Sequence, residues 1–327
     1  MVERLDRIGR AAGYGAASAL VPYLVIKVSW VVGSLLGLLP VGRGFSLGGW
    51  LVLNTVTIGM AAAGITLGLA LVRPWGMRIP GWLVGFFAWV GSGFLVSILP
   101  FVVVSALVNS GTASSGGSGG DAAMPGWEAV LLQCSFVGTG IALAIALPAY
   151  LSRRWPHALR RPERPRTRTS SGLLWPAVTG AVTGLAWLYW AAGGPLGIAH
   201  RDERPASWHV LVGVSACWAL AASAAVLALV RGWSTRLSYP LLLALAWLGS
   251  GSMFAWSGWR LPATVYVALA HPSDVTYPEN VAVAVALHVT AVLTGAGIIQ
   301  TLVHGDRRRV SVPDNAQQSA ERMGRRP

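Results

Sequence analysis

Lys27 is the only lysine in this 327-residue chain, and it stands near the middle of an apolar run. A charge inside a membrane span costs about 3 kcal/mol on insertion scales, so such a residue faces protein or water and marks a candidate site. At helical spacing its neighbours are Tyr23, Trp30, Ser34 and Gly37, which brings two aromatic rings within reach of the ammonium. The chemistry this predicts is contact with an anion or a lipid head group in a cavity. The bland alternative is a structural lysine that is capped by carbonyls and hydroxyls, or that snorkels. Asn54, from the next apolar run, offers an amide to the same place. His288, followed by Thr290 and Thr294, is a second polar residue deep in an apolar run, and it reads first as a hydrogen-bonded interior group. Tyr23, Lys27, Trp30, Asn54 and His288 are therefore the candidate ligand-binding residues.

Other chemistry is sparse. No aspartate or glutamate falls within a predicted span, Glu128 sitting just beyond an outer end, which disfavours a proton relay. His200, His209 and His271 follow no zinc spacing, and nothing calls for a metal or a cofactor. No Gly-x-Ser-x-Gly elbow, His-Glu-x-x-His run or Walker loop occurs, so an enzyme is not expected. Ser92 and Ser250 lie in Gly-Ser-Gly contexts that suit close helix contact. The pairs Gly33/Gly37, Gly64/Gly68, Gly81/Gly85 and Gly193/Gly197 form small-x-x-x-small faces of the same kind. Cys134 and Cys217 are the only cysteines, both within apolar runs, and are expected to be small buried hydrophobes.

The elements that must position these residues follow from composition. The chain is 54% hydrophobic and only 11% charged, less than half the charge of an ordinary soluble domain. Its apolar residues fall into eight runs: Tyr14–Leu39, Leu51–Val72, Gly81–Val108, Val130–Leu151, Leu173–Ile198, Val210–Val230, Tyr239–Trp259 and Val281–Val303. Each has the roughly 20 residues a helix needs to cross a bilayer. Pro100 and Pro262 predict a kink, or a continuation past the bilayer, in the third and seventh. The first run is longer than a signal-peptide core, holds Lys27 and lacks a small-x-small cleavage site, so it reads as a retained span.

The chain is also a duplication. Adding 158 to a position carries Trp50 to Trp208, Arg73 to Arg231, Trp89 to Trp247, Ser92 to Ser250 and Gly93 to Gly251. From Trp50 to Gly93 no gap is needed and roughly two residues in five are identical. Trp30, Gly33 and Gly37 match Trp190, Gly193 and Gly197 at an offset of 160, and Thr139-Gly140 matches Thr294-Gly295 at 155. Lys27 falls opposite Trp187, so the halves have diverged there. The expected fold is all-α and polytopic, with eight transmembrane helices as two tandem parallel four-helix repeats. Its parts are an N-terminal tail (1–11), a first repeat (12–151), an Arg/Pro-rich linker (152–171), a second repeat (172–304) and a disordered tail (305–327).

Net charge +13 invites a nucleic-acid partner, and its distribution argues against one. With the N-terminus inside, 20 of the 25 basic residues fall in cytoplasmic segments, and only Arg43, Arg201, Arg204 and Arg260 lie outside. That is the positive-inside bias of a plasma-membrane protein with both termini cytoplasmic. The expected partners are the lipid bilayer and its anionic head groups. Trp50, Trp208 and the Arg-x-Trp-x-x-Arg loops at Trp75 and Trp233 read as an aromatic belt with arginine anchors.

The segment Trp190-Ala191-Ala192-Gly193-Gly194-Pro195-Leu196-Gly197-Ile198, with its counterpart Trp30/Gly33/Gly37, resembles a feature of uncharacterised multi-pass membrane proteins of GC-rich Gram-positive bacteria. The resemblance implies no activity. Three function classes remain. The leading one is a permease or exporter with its pathway between the repeats. The second is a non-catalytic component docking a cytoplasmic partner through the basic linker and tail. A lipid-modifying enzyme is the weakest, because the spans lack its carboxylates and paired histidines.

Overall fold

A computed structural model describes residues 2–42, 46–109, 126–155, 174–231, 237–270 and 277–310. Its helices are α1 (Val2–Leu35), α2 (Leu47–Ala70), α3 (Gly81–Asn109), α4 (Gly126–Arg154), α5 (Trp175–Ala191), α6 (Ala206–Arg231), α7 (Tyr239–Ala270) and α8 (Val281–Val310). No strand occurs among the described residues, only an isolated bridge between Ile198 and Glu279. Seven of these helices, all but α5, are long and apolar enough to cross a membrane. Such a chain is a multi-pass membrane protein by the length and composition of its helices. Large apolar side chains such as Val25, Val52, Val182 and Leu293 stand exposed on the helix surfaces, the arrangement lipid favours and water does not. The linker beyond Trp155, the loop at 110–125, the tail from 311, and His271, Trp233 and Arg236 lie outside the described residues.

Helix ends follow local chemistry. Ser46 caps α2, its hydroxyl accepting from the Gly49 amide at 3.2 Å. Asn280 caps α8, its Oδ1 accepting from the amides of Ala282 and Val283 at 3.1 and 3.3 Å. At its C-terminus α1 turns at Gly37, with φ +70 and Leu38 N–H donating to Gly33 C=O at 2.8 Å. The same turn closes α5 one helical turn earlier in the repeat alignment, at Gly193 with φ +93, where Gly194 N–H donates to Tyr189 C=O at 2.9 Å. Pro195 explains the early stop, because the residue before a proline is driven out of the helical region. That leaves α5 with 17 residues in place of the expected run to Ile198. It also corrects the reading of Gly33/Gly37 and Gly193/Gly197 as helix-contact faces: Gly37, Gly193 and Gly197 all have positive φ and form turns. α3 and α7 continue as helix past Pro100 and Pro262.

In the first half α1 packs between α2 and α4. In the second α5 packs on α6 and α8, and α7 on α6 and α8. The halves meet chiefly where α3 crosses α7. There a Cβ on Gly93 would lie 2.0 Å from the Gly251 carbonyl carbon, so the two backbones touch at a point only glycine allows. Around that crossing Trp89 Nε1 donates to Ser250 Oγ at 3.0 Å, Ser97 and Ser252 share a hydrogen bond of 2.8 Å, and Trp218 Nε1 donates to Val96 C=O at 2.9 Å. Cys134 and Cys217 are exposed on the helix surface, which overturns the expectation that they are buried. Their hydrophobic character suits a lipid-facing position as well as a core.

Candidate functional site

Two polar clusters sit among the apolar helices, one in each half. In the first, Trp30 of α1 and Trp50 of α2 stack with centroids 5.6 Å apart, and Trp50 Nε1 donates to Ser34 Oγ at 3.1 Å. Lys27 is half-buried, its Nζ 3.9 Å from the Trp30 ring centroid and 5.8 Å from that of Tyr23. Tyr23 in turn meets Phe136 of α4 edge-on at 5.1 Å. Asn54 is fully buried and donates back to the Trp50 carbonyl on its own helix at 2.9 Å, while its Oδ1 has no partner. Four of the five sequence candidates thus share the α1–α2 region.

The fifth, His288, belongs to the second half. It is buried, its Nδ1 lies 3.1 Å from Ser257 Oγ of α7, and its ring faces Trp187 of α5 at 6.2 Å. Beside it is a cavity of about 10 Å³ lined by Trp187, Trp190, Ser215, Trp256, Arg260, Glu279 and His288, room for one water molecule.

Glu279 is the residue sequence reading missed. It precedes α8 in a connection that looked like an exposed loop, yet it is 4% exposed. Backbone bonds fold it inward: Asn280 N–H donates to Gly197 C=O, and the amides of Ala199 and His200 donate to Pro278 C=O, at 2.8 to 3.0 Å. The α5 turn and the α7–α8 connection therefore hold each other. Glu279 Oε1 accepts from Trp208 Nε1 at 2.8 Å and lies 3.9 Å from Arg260 Nη2. Oε2 is buried with no partner. A buried carboxylate is tolerated only with charge-assisted hydrogen bonds, and here half of that requirement is unmet. The Pro278-Glu279-Asn280 run signals a helix cap in sequence, but nothing local reports that a distant turn closes over it.

Trp50 and Trp208 are both buried with their indole N–H groups bonded inward. They are core residues, which corrects the aromatic-belt reading for this pair. Trp75 remains partly exposed. At the C-terminal end of α4, Arg153 and Arg154 are partly exposed and bond protein groups. Arg153 bonds the Leu71 carbonyl and Asp6, while Arg154 bonds the carbonyls of Gly76, Met77 and Ile79 and the Tyr150 hydroxyl. No cluster of three metal-ligating side chains occurs among the described residues. Compared with known proteins, the chain matches no family model, no curated protein and no solved structure.

Proposed function

We propose that this chain is an eight-span, permease-like protein of the plasma membrane, with both termini cytoplasmic and its pathway between two parallel four-helix halves. α5 is the eighth span. At 1.5 Å per residue its 17 residues reach about 25 Å, short of a core of about 30 Å but within what local thinning accommodates. Two features support the parallel pairing of the halves. Gly93 and Gly251 are counterparts in the alignment and touch each other, as residues on a twofold axis must. The Trp30–Trp50 and Trp190–Trp208 pairs, also counterparts, bring two indoles together in each half, stacked at 5.6 Å in the first and tilted at 6.4 Å in the second.

The observation that carries the transport reading is the Glu279–Arg260 pair, a buried and incompletely bonded carboxylate beside a half-buried guanidinium in an otherwise apolar bundle. Ionisable groups in such surroundings mark solute pathways. Trp256 ties the cavity to the seam: it lines the one, and its ring lies 5.8 Å from Phe94 of α3 across the other. Movement of α7 against α3 would open the cavity toward the crossing.

The test is to lock that crossing. In a background with Cys134 and Cys217 replaced by alanine, Ser97→Cys and Ser252→Cys place two thiols where hydroxyls now bond. Proteoliposomes loaded with anionic carboxyfluorescein or cationic ethidium should release one dye when the protein is reduced. They should retain it when the disulfide is formed, and release it again after reduction. Retention of both dyes in every state rejects a permease.

A further inference from the structure

A second cavity adjoins the Glu279 cavity. It is an open groove of about 380 Å³ between the end of α5 and the start of α8, walled by Ala186, Tyr189, Trp190, Leu196, Val283 and Leu287 and almost wholly apolar. Its size is that of a small-molecule site. Trp190 and Leu287 line both spaces, so the apolar groove and the polar pocket lie against the same two side chains. The groove exists because α5 stops at Ala191; another helical turn there would fill it.

We infer that groove and cavity together bind a membrane phospholipid with a primary ammonium head group. The ammonium sits on Glu279 Oε2, the phosphate against Arg260, and an acyl chain in the groove. Charge and size choose the head group. Oε2 is a buried acceptor without a donor, and an ammonium brings three. Arg260 approaches Glu279 only to 3.9 Å, beyond hydrogen-bond length, which leaves its guanidinium fork free to take a phosphate. The pair is neutral as it stands, and a zwitterion keeps it neutral. An anionic glycerol head group offers Oε2 only a neutral hydroxyl, and its phosphate leaves the site with a net negative charge. A choline head group has no N–H to give, and its methyl groups exceed a cavity with room for one water. The three indoles around the cavity, Trp187, Trp190 and Trp256, add cation–π attraction for the ammonium.

This inference rests on reading the Glu279 cavity as a ligand site and is independent of transport. The full-length protein, purified in detergent, is incubated with an equimolar mixture of phosphatidylethanolamine, phosphatidylcholine and phosphatidylglycerol of identical chains. Retained lipid is then counted by native mass spectrometry. Phosphatidylethanolamine should be retained about tenfold over the other two, the ratio expected for one charge-assisted hydrogen bond. Glu279→Gln keeps shape and the Trp208 bond but should erase that preference. Ala186→Phe, on the open rim where folding is not at stake, should lower retention of all three. Equal retention of the three lipids by the unaltered protein overturns the inference, as does undiminished preference in Glu279→Gln or undiminished retention in Ala186→Phe. Selective retention with no dye release upholds the lipid site and sinks the permease reading; dye release without selectivity does the reverse.

Discussion

Two tryptophans that align when the halves of the sequence are compared solve the same problem with different partners. Trp50 Nε1 gives its hydrogen bond to the Ser34 hydroxyl, and Trp208 Nε1 gives its own to the Glu279 carboxylate. A bond to a neutral acceptor contributes about 0.5–1.5 kcal/mol, one to a charged acceptor about 1.5–3 kcal/mol. Trp208→Phe should therefore lower the melting temperature in detergent clearly more than Trp50→Phe, because it strips a buried carboxylate of its shortest bond. Both variants lose the same indole volume, so the difference isolates the charge. Equal losses would mean that Glu279 is solvated or neutral in the folded protein. Lys27 is the corresponding ionic feature of the first half, held against the Trp30 face, where cation–π attraction at a partly desolvated site offsets some of the cost of leaving water.

At the level of elements, glycine and proline decide how far each helix runs. α1 and α5 carry the same Trp-x-x-Gly-x-x-x-Gly pattern, but α1 passes its first glycine and turns at the second, while α5 turns at the first. Gly193→Ala should destabilise the fold by about 1–2 kcal/mol, because a side chain at its φ of +93 is strained even in open space. Gly33→Ala replaces a helical glycine in the last turn of α1, which by propensity gains at most about 0.5–1 kcal/mol. Its Cβ would press on Leu39, 2.5 Å from Cδ1, 2.7 Å from Cγ and 3.2 Å from Cβ, so Leu39 must shift and that offsets the gain. Thermal melting of the two variants checks this, and a Gly33→Ala loss as large as that of Gly193→Ala would refute the assignment of the turns. α4 shows a second device: Arg153 and Arg154 in its last turn bind the carbonyls that the α2–α3 connection leaves open. Arginines that sequence assigns to lipid contact are here partly committed to the protein itself.

For the whole molecule, the orientation of the bundle is the open question with the plainest test. The proposed orientation, both termini and residues 152–171 in the cytoplasm, rests on twenty basic residues against four. Cys134 and Cys217 are exposed and must be replaced first, so that a reagent reports only introduced thiols. Single cysteines placed within 110–125 should then react in intact cells with an impermeant maleimide, and those within 156–171 should react only after lysis. Labelling of 156–171 in intact cells would invert the protein and place the Glu279 site on the cytoplasmic side.

By itself the sequence determined what depends on local composition and on internal comparison. Long apolar runs are helices wherever lipid denies the backbone other partners, and seven of the eight expected runs correspond to helices of spanning length. The match of Gly93 to Gly251 was visible as an alignment, and so was the aromatic stripe around Lys27, because both repeat and periodicity are written along the chain. Tertiary structure alone decided which residues of a loop go inside. Glu279 and Glu128 stand equally close to a predicted span, but only Glu279 is drawn in, by backbone bonds to a turn some eighty residues away. Contacts between elements likewise set Trp50, on Ser34 and Trp30, and Trp208, on Glu279, in the core and not at a membrane surface. They also left both cysteines outside, and let α3 and α7 meet backbone to backbone. Hydropathy records how apolar a residue is; which neighbour covers it is a property of the assembled bundle.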